Sequence, residues 1–311
     1  MATEILLLLV RLNLVASGAI LVVMALRPFA RRWFGASHAY RLWFTVPIAL
    51  VAALMPPVET WGPIGSVEHL ANGAGAWISK ESHLAALTTA WAAGALATAI
   101  LTAWRYGRFI AQERSGRAGP AIVGVLTPRL VTPADFEARF TSEERRLVRA
   151  HERAHMDRLD ARCNALVLGF QCLNWFNPLV HLAARAMRFD QELACDATVI
   201  HRLPMDRRSY AEALLRRHSE MAAPPLGCSW SGAGARLLMT RLTTLWGRRP
   251  GDARCELGDV LLAALWTVVF AAAWAAQPPY RIAEPGTALA VDLSPDTPEL
   301  PQVALPALRH R

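Results

Sequence analysis

Long apolar runs constrain the fold of this chain more than any other feature of its sequence. The hydrocarbon core of a bilayer is about 30 Å thick, and a helix of about 20 apolar residues crosses it. Four runs approach or exceed this length, and we predict each as a membrane-spanning helix: residues 4–26, 42–57, 83–104 and 257–276. The mean hydropathy of +0.23 over 311 residues agrees with several spans beside one water-soluble portion.

Some apolar stretches also carry polar residues that need partners. Arg11 and Asn13 interrupt the first run, and because both are costly in lipid we expect them to face neighbouring helices. A fifth apolar stretch, residues 163–182, contains several Asn and Gln residues. We interpret it as a buried or partly membrane-dipping helix, with a bend between two helical pieces where Pro178 follows Asn177.

The placement of arginine predicts the orientation of the spans. Connections that stay in the cytoplasm are enriched in Lys and Arg. Four arginines lie between the first two runs, and 24 of the 33 basic residues lie between Arg105 and Arg254. We therefore predict that both termini face outward and that the arginine-rich block faces the cytoplasm. All five cysteines fall in or at the edge of this block, which suits a reducing compartment.

The chain divides into four predicted regions. They are three spans with short loops (1–104), a cytoplasmic domain (105–256), the fourth span (257–276) and a Pro-rich outward tail that we expect to be disordered (277–311). The formal charge of +8 raises nucleic acid as a partner. Since no long basic tract is interleaved with aromatic residues, we expect the lipid bilayer and proteins as partners, and no direct contact with nucleic acid.

Local patterns predict the first elements of the cytoplasmic domain. The stretch "RAGPAIVGVLTPRLVTPADF" has β-rich runs broken by Gly and Pro, which indicates a short hairpin or two edge strands. Thr141 with Glu144 three residues later is the pattern of a capping box, and apolar residues follow at helical spacing. This pattern predicts a helix that carries His151, Glu152 and His155.

The spacing H-E-x-x-H is suited to metal chemistry. Four residues advance a helix by slightly more than one turn, so the imidazoles of His151 and His155 project from one face. That pair can bind a tetrahedral cation, with zinc as the expected ion. Glu152 lies one position further round and can act as a general base toward water without binding the metal. The alternative is a solvated face of an arginine-rich helix.

A third ligand would separate these alternatives. The candidates are His181, His201, Asp190 and Glu192. Glu192 and Asp196 share one face of a helix that we predict from 179 to about 202, so Glu192 can bind the metal while Asp196 accepts the N–H of a ligand histidine. The alternative, which spacing leaves nearly even, is that both carboxylates pair with Arg185 or Arg188 on a surface. Cys195 suits a small buried residue better than a ligand.

Four blocks of the sequence together indicate a known family. The segments "AIVGVLTPRLVTP", "RAHERAH", "NWFNPLV" and "ELACDATVI" resemble, in this order, the BlaR/MecR family of integral-membrane zinc metallopeptidases of the bacterial inner membrane. The resemblance covers residues 6–276 in layout and is most specific over 119–200. It implies zinc held by His151, His155 and Glu192, with Glu152 as the general base.

The predicted fold class follows from the apolar runs and the family resemblance together. It is a mainly α, multi-pass membrane protein with four transmembrane helices and a cytoplasmic gluzincin-like zinc metallopeptidase domain of helices plus a short β-hairpin. Well-known members of the family sense β-lactams through an outer penicillin-binding domain. Residues 277–311 contain no S-x-x-K element, so we do not expect that sensing role here.

Three functions compete at this point. The first is a zinc endopeptidase that acts in the cytoplasm in regulated proteolysis, cleaving itself or a repressor-like protein such as a helix-turn-helix repressor, with a homodimer as a candidate assembly. The second is a non-catalytic signalling or adaptor protein with a structural or vestigial metal site. The third is an intramembrane protease of the site-2 type, which the charged residues crowding the H-E-x-x-H helix disfavour.

Overall fold

A computed structural model describes residues 2–56, 81–116, 119–218, 234–247 and 250–277 of the chain. The described chain is mainly helical, with one small β-hairpin, as predicted. Its elements in chain order are α1 (Ala2–Trp33), α2 (Ala36–Arg41), a 3-10 turn (Leu42–Phe44), α3 (Thr45–Leu54), α4 (Glu81–Arg114), β1 (Ala121–Val123), β2 (Arg129–Val131), α5 (Phe136–Arg139), α6 (Ser142–Asp157), α7 (Asp160–Leu173), α8 (Pro178–Arg202), a second 3-10 turn (Pro204–Asp206), α9 (Arg207–His218), α10 (Gly234–Leu245) and α11 (Asp252–Ala275).

Three helices in the described part of the chain are long and apolar enough to cross a membrane. They are Leu6–Trp33, Ala85–Arg114 and Asp252–Ala275, which coincide with three of the four predicted runs. The second predicted run, 42–57, begins with the first 3-10 turn and continues as α3, whose ten residues extend about 15 Å. That is half of a hydrocarbon core, so a crossing there stays a prediction.

Several observed bounds differ from the sequence-based ones. Helix α4 continues to Arg114 without a break, ten residues beyond the expected end of the third span. The apolar stretch 163–182 is divided between α7 and α8 by the turn at 174–177, where the predicted bend lies. Asn177 accepts a hydrogen bond from the Leu179 backbone N–H and Pro178 occupies the first turn, a combination that favours a helix start. The predicted tail lies outside the described residues from 278 onward.

The largest apolar core joins the candidate spans to α8. Ile20 and Val23 of α1, Trp43, and Leu262 of α11 pack in one cluster with residues of α8 such as Met187. The described residues have three smaller clusters, and two of them connect the elements around α6 and the hairpin. One joins α6, α8, α9 and α10 through Leu147, Val199, Tyr210, Leu214 and Leu245. The other places the hairpin against Phe109 of α4. Helix α8 therefore contacts both the spans and the arginine-rich domain.

The hairpin is antiparallel, with Ala121 opposite Val131 and Val123 opposite Arg129. Its turn includes Gly124 at a φ of +95°, where an added Cβ would lie 2.5 Å from the Thr127 carbonyl oxygen. Glycine is therefore the residue that fits this turn. The hairpin resolves the alternative of two separate edge strands in favour of one paired unit.

Candidate metal centre

Helix α6 presents the two histidines on one buried face. The predicted capping box is present: the Thr141 hydroxyl accepts from the Glu144 backbone N–H at 3.2 Å, and the Glu144 carboxylate accepts from the Thr141 N–H at 2.8 Å. His151 and His155 are buried, and their Nε2 atoms lie 3.1 Å apart. Glu152, the next position round the helix, is 2% exposed. The motif therefore lies in the interior and not on a solvated face.

Helix α8 brings Glu192 to the same point. Its Oε2 lies 3.5 Å from His151 Nε2, and its Oε1 lies 3.6 Å from His155 Nε2. The three side chains offer ligand atoms that lie within 4.8 Å of one another. Of the candidates for a third ligand, Glu192 is the one that the structure places beside both histidines.

The other candidates have different surroundings. Asp190 accepts hydrogen bonds from Arg27 and Trp43. His181 contacts the Trp175 carbonyl oxygen at 2.9 Å, and His201 is exposed. None of these three belongs to the group of side chains around His151 and His155.

Each imidazole forms a hydrogen bond through Nδ1, the ring nitrogen that does not face Glu192, and this bond fixes its tautomer. His151 Nδ1 lies 2.7 Å from the Tyr210 hydroxyl, which itself donates to Asp196 Oδ1 at 2.7 Å. His155 Nδ1 lies 2.8 Å from Asp160 Oδ2. Each Nδ1 therefore carries the proton, and both Nε2 lone pairs point toward the shared point. Asp196 was predicted to accept the N–H of a ligand histidine directly, but it reaches His151 mainly through Tyr210, because its own oxygen lies 3.4 Å from His151 Nδ1.

This donor set fits a bound cation. Two nitrogen lone pairs 3.1 Å apart repel each other unless a proton or a metal ion lies between them. Among the described residues, neither carboxylate oxygen of Glu192 accepts a hydrogen bond of good geometry. Two imidazoles and one carboxylate are the ligand set of many catalytic zinc sites, and each imidazole has the outer partner that metal-bound histidines need.

Arg241 of α10 completes the charge balance of the centre. Its Nε and Nη2 each donate to Asp196 at 2.8 Å, and its Nη1 lies 2.9 Å from Glu192 Oε2. Burial alone would raise the pKa of Glu192, but the charge of Arg241 and contacts with the two histidines lower this pKa to about 2. The same guanidinium outweighs burial at Asp196 and holds its pKa far below the ordinary value. Both carboxylates are therefore anionic.

The sequence-based alternative for these carboxylates is wrong. Glu192 and Asp196 are each 1% exposed, so they do not form surface pairs with Arg185 or Arg188. Their cationic partner is Arg241, which is 45 residues beyond Asp196 in the sequence. No local pattern in "RLLMTRLTTLW" distinguishes this arginine from its neighbours.

Asp160 was not among the residues predicted for the site, although it lies close to His155 in the sequence. It follows His155 by five residues, and Leu159 between the two helices has a φ of +58°, which turns the chain back toward His155. A leucine in this left-handed conformation costs about 1 kcal/mol, which the contacts of Asp160 must offset. Asp160 also accepts from the Tyr40 hydroxyl at 3.0 Å. Cys195 Sγ lies 3.2 Å from His155 Nδ1, on the side away from Nε2.

Comparisons with known proteins agree with this geometry. The sequence profile described as BlaR1 peptidase M56 matches residues 7–245, most of the chain. The chain belongs to the BlaR1 peptidase M56 family. The match confirms the resemblance to BlaR/MecR proteins that the four sequence blocks indicated. Membership in this family supports a membrane metallopeptidase.

Individual relatives of this M56 family member are distant. It is 30% identical over 98 residues to the regulatory protein BlaR1 of Bacillus licheniformis. The aligned segment covers 31% of this chain and 16% of that protein. It is 26% identical over 98 residues to the methicillin resistance mecR1 protein of Staphylococcus aureus, covering 31% of this chain and 17% of the relative. The match thus spans about a sixth of these relatives' length. No solved structure matches this chain.

Proposed function

We propose that this M56 family member is a membrane-embedded, zinc-dependent endopeptidase that acts on the cytoplasmic side in regulated proteolysis. One observation carries the proposal. The Nε2 atoms of His151 and His155 and the Glu192 carboxylate converge inside the protein, beside a buried Glu152. Family membership and the arginine distribution support the membrane location and the orientation.

Each residue of the centre has a proposed role in hydrolysis. His151, His155 and Glu192 would hold the ion. When bound, zinc supplies a Lewis acid that polarises a peptide carbonyl and makes water more acidic. Glu152 accepts the proton of the attacking water and transfers it to the leaving amine. Tyr210 and Asp160 hold the imidazoles in the tautomer that leaves each Nε2 free to bind.

The burial of the centre sets a requirement for activity. The three ligand side chains are at most 4% exposed, so a peptide segment cannot reach them in the conformation described. We propose that a conformational change admits the substrate and that the protein hydrolyses slowly at rest. The proposed substrate is a cytoplasmic protein, either a repressor-like protein with a helix-turn-helix or this protein itself, and a homodimer is a proposed assembly. Four spans with both termini outside complete the proposed topology.

The decisive experiment replaces the general base. Glu152→Gln is compared with Glu143→Gln, the same change at an exposed position of the same helix. Purified full-length proteins in vesicles are followed for self-cleavage and for cleavage of a quenched peptide library. We expect Glu152→Gln to abolish cleavage while zinc remains bound. Cleavage equal to that of Glu143→Gln would contradict catalysis.

The metal requirement is tested separately by measuring metal content. Protein dialysed against zinc should retain one equivalent in the parent and lose it in Glu192→Ala. Glu212→Ala, at an exposed ion pair with Arg208 on α9, is the matched control and should keep its zinc. The closed centre also suits a structural metal in an adaptor protein. An adaptor keeps its cellular signalling output in Glu152→Gln, whereas a protease loses it.

A further inference from the structure

We propose that α7 and α8 form a re-entrant hairpin within the bilayer, whose tip at residues 174–177 and outer face contact lipid acyl chains. The inference is independent of hydrolysis, because it concerns where the helix that carries Glu192 lies. The contacts of the hairpin with the candidate spans α1 and α4 show how far along each span it reaches.

The tip contacts α1 far from its arginine-rich end. Asn13 Nδ2 donates to Asn174 Oδ1 at 2.7 Å, and Asn177 Nδ2 donates to Asn13 Oδ1 at 3.1 Å and to Ser17 Oγ at 2.9 Å. Asn13 precedes Arg27 by 14 positions, which is about 21 Å along a helix. The tip therefore lies about two thirds of the way across a hydrocarbon core of about 30 Å.

Contacts with helix α4 place the tip of the hairpin at the same depth in the bilayer. Trp91 Nε1 donates to the Leu173 carbonyl oxygen at 2.9 Å, and Trp175 Nε1 donates to the Trp91 carbonyl oxygen at 3.2 Å. Trp91 precedes Arg105, the first charged residue after the apolar run, by 14 positions and so by about 21 Å. An added Cβ at Gly94 would lie 2.1 Å from the Trp175 ring, so the ring fits closely against α4.

The base of the hairpin lies at the arginine end of α1. Asp190 of α8 forms an ion pair with Arg27 at 3.0 Å, and Asp160 at the start of α7 accepts from Tyr40. From Asn177 to Asp190 is 13 positions, about 20 Å, which matches the distance from Asn13 to Arg27 on α1. Helices α1 and α8 thus contact each other at the tip and at the base of the hairpin. The spacing between these two contacts is about the same along both helices.

Side chains donate hydrogen bonds to three carbonyl oxygens at the tip, as a bilayer favours. The carbonyl oxygens of Phe170, Leu173 and Trp175 accept from Asn174, Trp91 and His181 side chains, respectively. In lipid each unsatisfied backbone group costs several kcal/mol, so non-helical turns at depth are found only with such partners. A turn in water would not need them, since water would bond to each carbonyl.

The outer face of the hairpin is apolar, and its charges lie near the base. Leu166 is 76% exposed and Phe176 is 53% exposed, and Leu173 and Leu182 are also exposed. The exposed Arg185 precedes Asp190 by five positions, about 8 Å, so its long side chain reaches the interface. Acyl chains are the partner that fits a face continuous with the exposed leucines of the spans.

Depth measurement by spin labelling tests the proposal. Cys163, Cys172, Cys228 and Cys255 are replaced by Ser, the buried Cys195 is kept, and labels are introduced at Leu173→Cys and at Leu215→Cys of α9. These leucines are 47% and 48% exposed, so they differ in predicted surroundings and not in accessibility. Leu101→Cys of α4, 45% exposed, is the lipid reference. The full chain is placed in vesicles of phosphatidylcholine and phosphatidylglycerol.

The readout is the collision rate with oxygen, which concentrates in lipid, relative to that with a water-soluble nickel chelate. We expect the oxygen-to-nickel ratio at Leu173 to be at least as high as that at Leu101 and to exceed that at Leu215. A ratio at Leu173 equal to that at Leu215 overturns the proposal. If Leu173→Cys does not fold, Phe176→Cys in the same turn gives the same comparison. The result should be unchanged in Glu152→Gln, so it is separable from the failure of catalysis.

Discussion

Arg241 joins two of the three carboxylates of α8, with its Nη1 2.9 Å from Glu192 Oε2 and its Nε 2.8 Å from Asp196 Oδ2. One guanidinium thus compensates a ligand carboxylate and the carboxylate behind a ligand histidine. Arg241 also ties α10 to the helix that carries Glu192.

Replacing Arg241 by Met should destabilise the metal-free protein strongly. Removing one partner of a buried ion pair leaves uncompensated charge and costs about 3–5 kcal/mol. Thermal unfolding in detergent measures the effect, and zinc should recover part of it. Arg202→Met, which breaks an exposed pair with Asp157, should cost less than about 1 kcal/mol. Equal losses in the two variants would contradict a stabilising role for Arg241.

Tyr210→Phe should weaken zinc binding without disturbing packing. The hydroxyl accepts from His151 Nδ1 and donates to Asp196, and the loss of such an outer partner typically lowers metal affinity by about 10–100-fold. Competition with a chromophoric chelator measures the affinity. Tyr106→Phe, the same change on α4, serves as the control. If both variants bind zinc as the parent does, the Tyr210 hydroxyl does not position His151.

Zinc affinity should fall as pH is lowered, beginning above pH 6.5. Burial lowers the pKa of His151, but its contacts with Asp196 and Glu192 raise it more, so its pKa lies above the ordinary 6.5. In the metal-free protein, protonated His151 stabilises the fold below its unfolded pKa, and this contribution is lost as pH rises through the folded pKa. Zinc must displace that proton.

Zinc titrations from about pH 5 to pH 9 check this dependence. The apparent affinity should decrease by about tenfold per pH unit for each proton displaced. Glu192, with a pKa of about 2, stays ionised throughout and does not contribute to the change. An affinity that stays constant down to pH 6 would show that His151 is unprotonated in the metal-free protein.

The ion pair between Arg27 and Asp190 should couple α1 energetically to the helix that carries Glu192. Asp190 is 1% exposed and lies two positions before Glu192. Arg27→Leu leaves this carboxylate buried and should cost about 3–5 kcal/mol, whereas Arg27→Leu with Asp190→Leu should recover most of the loss. Arg31→Leu, 3.8 Å from Asp190 and partly exposed, is the milder comparison. A double variant less stable than Arg27→Leu would contradict the coupling.

Parts of this arrangement followed from sequence patterns alone. The capping box of Thr141 and Glu144 is present, and α8 starts at Pro178, one residue before the predicted start; both are local hydrogen-bonding features. The juxtaposition of His151 and His155 follows from helix geometry once the helix is predicted. Three candidate spans were predictable because length and hydropathy are properties of a continuous segment. The second run was harder, because it begins with a 3-10 turn and its α-helix has ten residues.

The sequence by itself therefore determined three candidate spans, the two helices of the centre, the histidine pair and the candidates for a third ligand, since each depends on one continuous segment. Tertiary structure decided which candidate met the histidines, because Glu192 reaches them only when α8 packs against α6. It also decided the roles of Arg241, Tyr210 and Asp160, whose partners come from other elements. Contacts over such separations depend on how apolar faces pack in space, which no local period encodes.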